Sequence, residues 1–281
     1  MKQLNIFQKT PEPDYEKLRE LCQTTGVAFQ KLIRDTKVTI EKSCKADIKT
    51  AMVAEVTYQQ AKKIILDYEW LGTMPSQVCA AFGIFFGDEL GGVVCFSDVR
   101  QQTKMSFLNH PAVILARGAC VHWAHPHSAS FLISRACKMI DNEKYDFVVA
   151  YSDPEAGEIG TVYQACNWFC VGTSQKMRWT APDGSTRSAY HHRNLACSKS
   201  PKVNGKRTTD KVLAEEIKND LLSKGWKWEL GPKRYRYAFP LGSGQRLRKS
   251  KKMLKEISIP YPKRNRRLNK KQLVVRAKNI C

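Results

Sequence analysis

Two neighbouring stretches decide the fold: residues 115–138, LARGACVHWAHPHSASFLISRACK, and residues 145–168, YDFVVAYSDPEAGEIGTVYQACNW. Residues 115–121 (LARGACV) are a short, mostly apolar run with the length of a buried strand. A polar, proline-containing loop follows at 122–127, and Ser128 stands where a helix N-cap belongs. Phe131, Leu132, Ala136, Met139 and Ile140 then recur at helical spacing. Residues 145–151 (YDFVVAY) are nearly all apolar, the pattern of a strand covered on both faces. Asp153-Pro154 predicts the start of a second helix, because aspartate accepts orphan N–H groups and proline loses nothing at the first helical position. That helix carries Tyr163 and Asn167 one turn apart, and Phe169-Cys170-Val171 leads out as a third strand. In such an α/β order, ligand groups gather where strand ends meet helix starts. Arg117, Ser128, Ser130, Tyr151, Ser152, Asp153 and Glu155 fall at those junctions.

Upstream, residues 56–70 read as a helix stopped by Gly72 and Pro75. Residues 81–86 and 92–97 read as an antiparallel hairpin, and 100–111 as a loop. Residues 14–34 have helical periodicity broken near Thr24-Thr25-Gly26, which fits either a packed helical hairpin or a DNA-reading helix-turn-helix. Downstream, 174–194 predicts a hairpin around Pro182-Asp183-Gly184-Ser185, 198–209 has linker composition, and 210–225 is an amphipathic helix. Residues 226–240 (WKWELGPKRYRYAFP) are aromatic and basic. From Gln245 onward Glu256 is the only acid among many lysines and arginines. The organisation expected is a helical extension over 1–50, a core over 51–197, and a basic, aromatic extension over 198–281.

The 281 residues include 47 Lys plus Arg against 26 Asp plus Glu, a formal net charge of +21. That excess predicts a polyanionic partner, nucleic acid first. The apolar fraction of 42% supports a packed core rather than a disordered chain. No apolar run is long enough to span a bilayer and the first residues lack a signal peptide's apolar centre, so no membrane partner is expected. Ten cysteines without a C-x-x-C spacing read as reduced, mostly buried thiols.

Arg117 interrupts an apolar strand, so it needs either an ion pair with Asp153 or Glu155, or an anionic ligand. Asp153 sits at a strand's C-terminal end, where it serves as a cap or as a chemical group. Tyr163 is placed to donate to a leaving group, to stack on a base, or to pack. Cys120, His122, His125 and His127 have metal-ligand chemistry in a compact loop, with His122, His125 and His127 as candidate ligands. Their spacing matches no closed zinc signature, and histidines before a helix also act as hydrogen-bond partners. No P-loop, GxGxxG, GxSxG or HExxH motif occurs, nor the acidic-or-Asn, Pro-Pro, aromatic motif of DNA-adenine methyltransferases.

The order of elements resembles the GNAT acyltransferase fold, an α/β (layered α+β) architecture with a mixed central sheet. That resemblance implies that the strand at 115–121 splays from its neighbour at 147–151, and that the following helix N-terminus binds an anion. The usual Gly-rich cradle is replaced here by His122-Trp123-Ala124-His125-Pro126-His127-Ser128. A closer resemblance is to the Mom DNA-modification proteins of Mu-like bacteriophages. It rests on 115–138, on 145–168 with its S-D-P-E, Gly and Tyr, and on the preceding FGIFFGDELGGVVCFS.

This resemblance implies an enzyme that converts adenine N6 in double-stranded phage DNA to N6-carbamoylmethyladenine, blocking restriction in the host cytoplasm. Its functional positions map onto Arg117, Ser128, Asp153 and Tyr163, with Arg117, Ser128, Ala129 and Ser130 on the donor. Acetyl-CoA and iron are the cofactors implied. The product carries a methylene on N6 and an added nitrogen, which an acetyl group lacks, so another acyl or glycyl donor such as an aminoacyl-tRNA also fits. The target adenine has to leave the stack, with Tyr163 or Trp123 to hold it. Two other readings fit the residues: an N-acyltransferase acting on another substrate, and a non-enzymatic DNA-binding phage protein.

Overall fold

The structure is a computed structural model, and it describes residues 46–75, 77–98, 109–154, 157–184, 192–199, 202–203, 206–207 and 210–263. The helical periodicity at 14–34, most of the 100–111 loop, Glu155 and the basic residues beyond 263 lie outside the described residues.

Strand β1 (Met52–Glu55) leads into helix α1 (Tyr58–Tyr68). A capping box starts α1: the Gln60 N–H donates to Thr57 Oγ1 at 3.3 Å, and the Thr57 N–H donates back to Gln60 Oε1 at 2.9 Å. Strands β2 (Ala80–Phe86) and β3 (Glu89–Asp98) form the expected hairpin, turning at Gly87 with φ 63°. Then come β4 (Ala112–Cys120), α2 (Ser128–Met139), β5 (Phe147–Ser152), α3 (Thr161–Ala165) and β6 (Phe169–Ser174).

Two sequence expectations shift here. Helix α3 begins at Thr161 behind an N-cap Gly160, not at Asp153-Pro154. Asn167 has φ 57° and lies beyond the helix end, so it shares no helical face with Tyr163.

Further along are β7 (Met177–Thr180), α4 (His192–Lys199), β8 (Lys202–Val203), β9 (Lys206–Arg207), α5 (Lys211–Ser223), β10 (Lys227–Leu230), β11 (Arg234–Pro240) and α6 (Gly244–Ile257). By contacts the chain falls into two units. One runs to Gly172 and resumes at Tyr235; the other is Thr173–Arg234. In the second unit β7 pairs antiparallel with β10, a partner from much later in the chain, while residues 185–191 of the hairpin expected around Pro182 lie outside the described residues. The supposed linker holds the short β8–β9 ladder.

The first unit is built on a mixed sheet in the order β1-β2-β3-β4-β5-β11-β6. Neighbours β1/β2, β2/β3, β3/β4 and β5/β11 are antiparallel, whereas β4 and β5 are parallel. Helix α2 covers one face, burying Leu132, Ile133, Ala136 and Cys137 against Phe82, Phe96, Val113, Leu115, Val148 and Ala150. On the other face α1 buries Ala61, Ile64, Ile65 and Tyr68 against Ala81, Val93, Cys95 and Ala119. Helix α6 puts Leu254 against Ala112, Phe147, Val149 and Ala238 on that same side. Strand β5 is thus buried on both faces, as its apolar run requires. Arg246 ties α6 down by donating to Asp146, whose other oxygen meets His110 at 3.1 Å. Among the described residues no helix is long and apolar enough to cross a membrane.

Candidate active site

The parallel ladder between β4 and β5 is short. It pairs Ala112–Ile114 with Phe147–Val149 and then stops, although β4 continues to Cys120 and β5 to Ser152. Beyond Ile114 and Val149 the two strands part, which opens the middle of the sheet. Strand β5 stays paired with β11 up to Ser152, so the gap lies on the β4 side. The strand splay implied by the GNAT resemblance is present.

Strand β4 is also bulged. Cys95 opposes Arg117 while the next residue, Phe96, opposes Leu115, leaving Ala116 extra. One extra residue inverts the alternation of everything after it. Val113 and Leu115 face α2, and unbroken alternation would put Arg117 beside them. The bulge turns Arg117, with Ala119, toward α1 instead.

There the guanidinium donates from Nε to the Thr73 carbonyl at 2.8 Å, from one terminal nitrogen to the Ala116 carbonyl at 2.7 Å, and from the other to Thr73 Oγ1 at 3.3 Å. It makes no ion pair with Asp153. The carboxylate sharing its surroundings is Glu69, the residue that ends α1. Glu69 is 7% exposed, and its Oε2 accepts the Leu71 N–H at 2.8 Å and the Gly72 N–H at 3.2 Å. Burial raises its pKa above 4.5, against the opposing pull of Arg117 and the two N–H groups. Burial also lifts the neighbouring Cys95 thiol to about 11, and Arg117 partly offsets this.

Helix α2 follows the C-terminal end of β4. Its N-cap position is His127, without a side-chain cap, so the helix starts one residue earlier than expected and Ser128 is its first residue. The backbone N–H groups of Ala129 and Ser130, in the first turn, have no acceptor within the helix and suit an anion. Ser128 is 0% exposed and its hydroxyl has no hydrogen-bond partner among the described residues. Ser152, at the end of β5, is 1% exposed and its hydroxyl likewise has no hydrogen-bond partner among the described residues. Buried hydroxyls are normally satisfied, so these two stand out. This donor set fits the phosphate or carbonyl oxygens of a coenzyme A thioester.

The three histidines do not converge. His122 Nδ1 lies 3.2 Å from the Tyr68 hydroxyl and its ring stacks on Tyr68. His125 Nδ1 accepts the His127 N–H at 3.1 Å, which folds the loop. Among the described residues no group of three His, Cys, Asp or Glu is arranged to hold a metal ion. The described residues therefore do not fit iron. Trp123 packs edge-on against Phe86, 5.9 Å between centroids, which commits part of its ring.

Asp153 follows the last residue of β5 and is half-buried, with its carbonyl accepting the Glu158 N–H at 3.1 Å. Tyr163, on α3, lies 5.1 Å from the Trp168 ring and 5.2 Å from the Tyr237 ring, so its faces are occupied by aromatic neighbours. Burial raises its pKa, and the charges of Glu158, Cys137, Cys166 and Glu69 add to the shift. The phenol is therefore neutral at physiological pH and a weaker acid than an exposed tyrosine. Glu69 is thus the carboxylate beside Arg117. Sequence reasoning missed Glu69. The available signal was an acid at a helix C-terminus, where the helix dipole disfavours it.

A mixed sheet opened between its two parallel strands, with a helix N-terminus beyond the opening and titratable groups on either side, is a GNAT-type acyltransferase fold. Similar solved structures are acetyltransferases. A Bacillus subtilis acetyltransferase in complex with CoA is 12% identical, with 68% of this chain and 98% of that chain covered and a TM-score of 0.34. An IAA acetyltransferase from Bacillus cereus is 10% identical, covering 68% and 99%, with a TM-score of 0.36. An aminoglycoside N(6')acetyltransferase from Legionella pneumophila is 6% identical, covering 72% and 95%, with a TM-score of 0.37. Comparison with curated proteins found no match. Residues 50–263 match the model of the Mom protein family, and the chain belongs to that family.

Proposed function

We propose that this chain is a DNA-modifying transferase that converts adenine N6 to N6-carbamoylmethyladenine in phage DNA, in the host cytoplasm, and so evades restriction. The observation that carries the reading is a strand gap beside Arg117 in a member of the Mom family. The two carbons of the added group come from a CoA thioester or a glycyl donor such as an aminoacyl-tRNA, and the methylene carbon, not the acyl carbon, is the one that ends bonded to N6. Arg117 and Ser128 hold the donor's oxygens, and the Ala129 and Ser130 N–H groups take its anionic part.

DNA binding is supported by the net charge of +21 and by α6. That helix buries Ser250 and Leu254 and exposes Arg248, Lys249, Lys251, Lys252 and Lys255. Such a face suits a phosphate backbone. The adenine leaves the stack because N6 is otherwise held in a base pair. Asp153 accepts a hydrogen bond from the extruded amine and orients its lone pair. Tyr163, a neutral phenol among aromatic rings, gives a proton to the leaving group rather than stacking on the base.

The test is restriction of plasmid DNA from cells producing the protein, with enzymes whose sites contain adenine. Wild-type plasmid is expected to resist cleavage, and plasmid from cells producing Asp153→Asn to be cut, while the purified variant binds a DNA duplex as the wild type does. Protection by the Asp153→Asn variant contradicts the assigned role.

A further inference from the structure

Helix α6 ends in a segment to which the reading above gives no task. Ser258 closes its last turn: Oγ donates to the Lys255 carbonyl at 2.9 Å, and the backbone is already extended, with φ −75° and ψ 144°. Residues 258–262, Ser-Ile-Pro-Tyr-Pro, are then pinned by hydrogen bonds. The Ile259 N–H donates to the Cys170 carbonyl of β6 at 2.8 Å, the Tyr261 hydroxyl to the Trp168 carbonyl at 2.6 Å, and Gln164 Nε2 to the Pro262 carbonyl at 3.4 Å. Pro260 and Pro262 restrict the backbone further. The segment is fixed, yet its large side chains are left out: Ile259 is 41% exposed and Tyr261 42%. Beside them lies an open cavity of about 230 Å³, lined by Phe169, Cys170, Ser258, Ile259, Pro260 and Tyr261.

A pinned backbone that displays an isoleucine and an aromatic ring at a cavity is a surface for an apolar or aromatic group. The charges around it select which. Lys251, Lys252 and Lys255 precede it on the exposed face of α6 and Lys263 follows it, with Glu256 the only acid between 244 and 263. Cations flanking an aromatic cavity suit a ring carried on an anionic backbone, which is the makeup of a nucleotide within a strand. Pockets for drug-sized ligands hold roughly 300–1,000 Å³, so this smaller cavity suits a single ring system rather than a whole cofactor. We propose that the cavity holds one unpaired base of the DNA, stacked on the Tyr261 ring, while the α6 lysines hold the neighbouring phosphates. This rests on DNA being the partner, as in the reading above. Strand β11 separates β5 from β6, so the cavity is not the gap between β4 and β5, and the base held in it is not the adenine being modified.

The experiment measures binding of the purified full chain to three duplexes of one length: fully paired, with one unpaired 2-aminopurine, and with an abasic residue in its place. The wild type is expected to bind the unpaired base about 5- to 150-fold tighter than the abasic duplex, with quenched 2-aminopurine emission. Tyr261→Ala and Ile259→Ser are each expected to remove most of that preference without changing the slope of log affinity against log salt, since no phosphate contact is lost. Lys255→Gln is expected to lower the slope by about 0.9 on all three duplexes and to keep the preference. Tyr261 also anchors the segment through its hydroxyl, so if Tyr261→Ala melts early, Ile259→Ser carries the test. Equal wild-type affinity for the unpaired and abasic duplexes overturns the proposal, as does a preference that survives Ile259→Ser, or a loss shared equally by all three duplexes. Dimers in sedimentation that Ile259→Ser abolishes assign the surface to a second copy and overturn it too. Nucleoside mass analysis reads the modification separately. No heavier adenine alongside an intact base preference refutes the adenine reading alone, and the reverse result refutes this proposal alone.

Discussion

Replacing Gly160 by alanine tests how α3 is locked into place. Gly160 caps α3 with φ 77° and ψ 30°, a left-handed conformation that costs an alanine about 1–2 kcal/mol. A Cβ there would enter the Tyr237 ring, 2.6 Å from Cζ and 2.8 Å from the hydroxyl oxygen. The ring cannot retreat freely. It is fully buried, its hydroxyl donates to the Ile159 carbonyl at 2.5 Å and accepts from Gln164 Nε2 at 3.1 Å, and it packs on Tyr163. Overpacking of this kind costs about 1–3 kcal/mol, giving a total of about 2–5 kcal/mol. At about 2–4 °C per kcal/mol for a unit of this size, the melting temperature falls by about 4–20 °C. Gly157→Ala is the control: φ is 75°, nothing lies within 4 Å of its Cβ, and only the backbone cost of about 1–2 kcal/mol applies. Thermal melting of both variants, with DNA modification measured alongside, separates the two contributions. Equal melting temperatures for the two variants, with Gly160→Ala still active, would refute the claim that this packing positions Tyr163.

Other outcomes follow from the same geometry. Replacing Arg248, Lys249 and Lys252 of α6 by glutamine is expected to lower the slope of log affinity against log salt by about 2.7 if each meets a phosphate, with circular dichroism unchanged; an unaltered slope removes α6 from the DNA interface. Ser128→Ala removes a buried hydroxyl that has no partner, so melting is expected to stay level or rise while modification drops; a destabilised variant contradicts that reading. Glu69 has a raised pKa when folded, so its ionisation opposes folding. That burden is absent below 4.5 and grows as pH rises through the folded value. Glu69→Gln is therefore expected to match the wild type in stability at acid pH and to equal or exceed it at neutral pH, as read from melts at both; lower stability confined to neutral pH speaks against it.

The parts of the fold written in local pattern were legible. The apolar run of β5, the 3.6-residue spacing of α2 and the Gly87-Asp88 turn each reflect interactions among near neighbours. What depended on distant pairing was not. Strand β11 inserts between β5 and β6, and β7 finds β10, because sheet partners are chosen across the chain by burial and register. The bulge at Ala116 leaves no compositional mark, yet it alone turns Arg117 toward Glu69 and away from the α2 face. Asp153-Pro154 has the chemistry of a helix start, but the left-handed Gly160 sets the actual one. Of the candidate positions, Arg117, Ser128, Asp153 and Tyr163 stood out as polar residues near element junctions. Glu69 was not, since burial behind a turn is a property of the folded chain.

The measurement closest to the central claim is mass analysis of nucleosides. DNA from cells producing the full chain is digested and its adenine nucleosides are weighed and fragmented. The account predicts a deoxyadenosine heavier by one carbamoylmethyl group on N6, absent from cells producing Asp153→Asn. Fragmentation separates it from a glycyl isomer of equal mass. Unmodified deoxyadenosine alone, from cells that make folded protein, would contradict the claim that this strand gap modifies DNA.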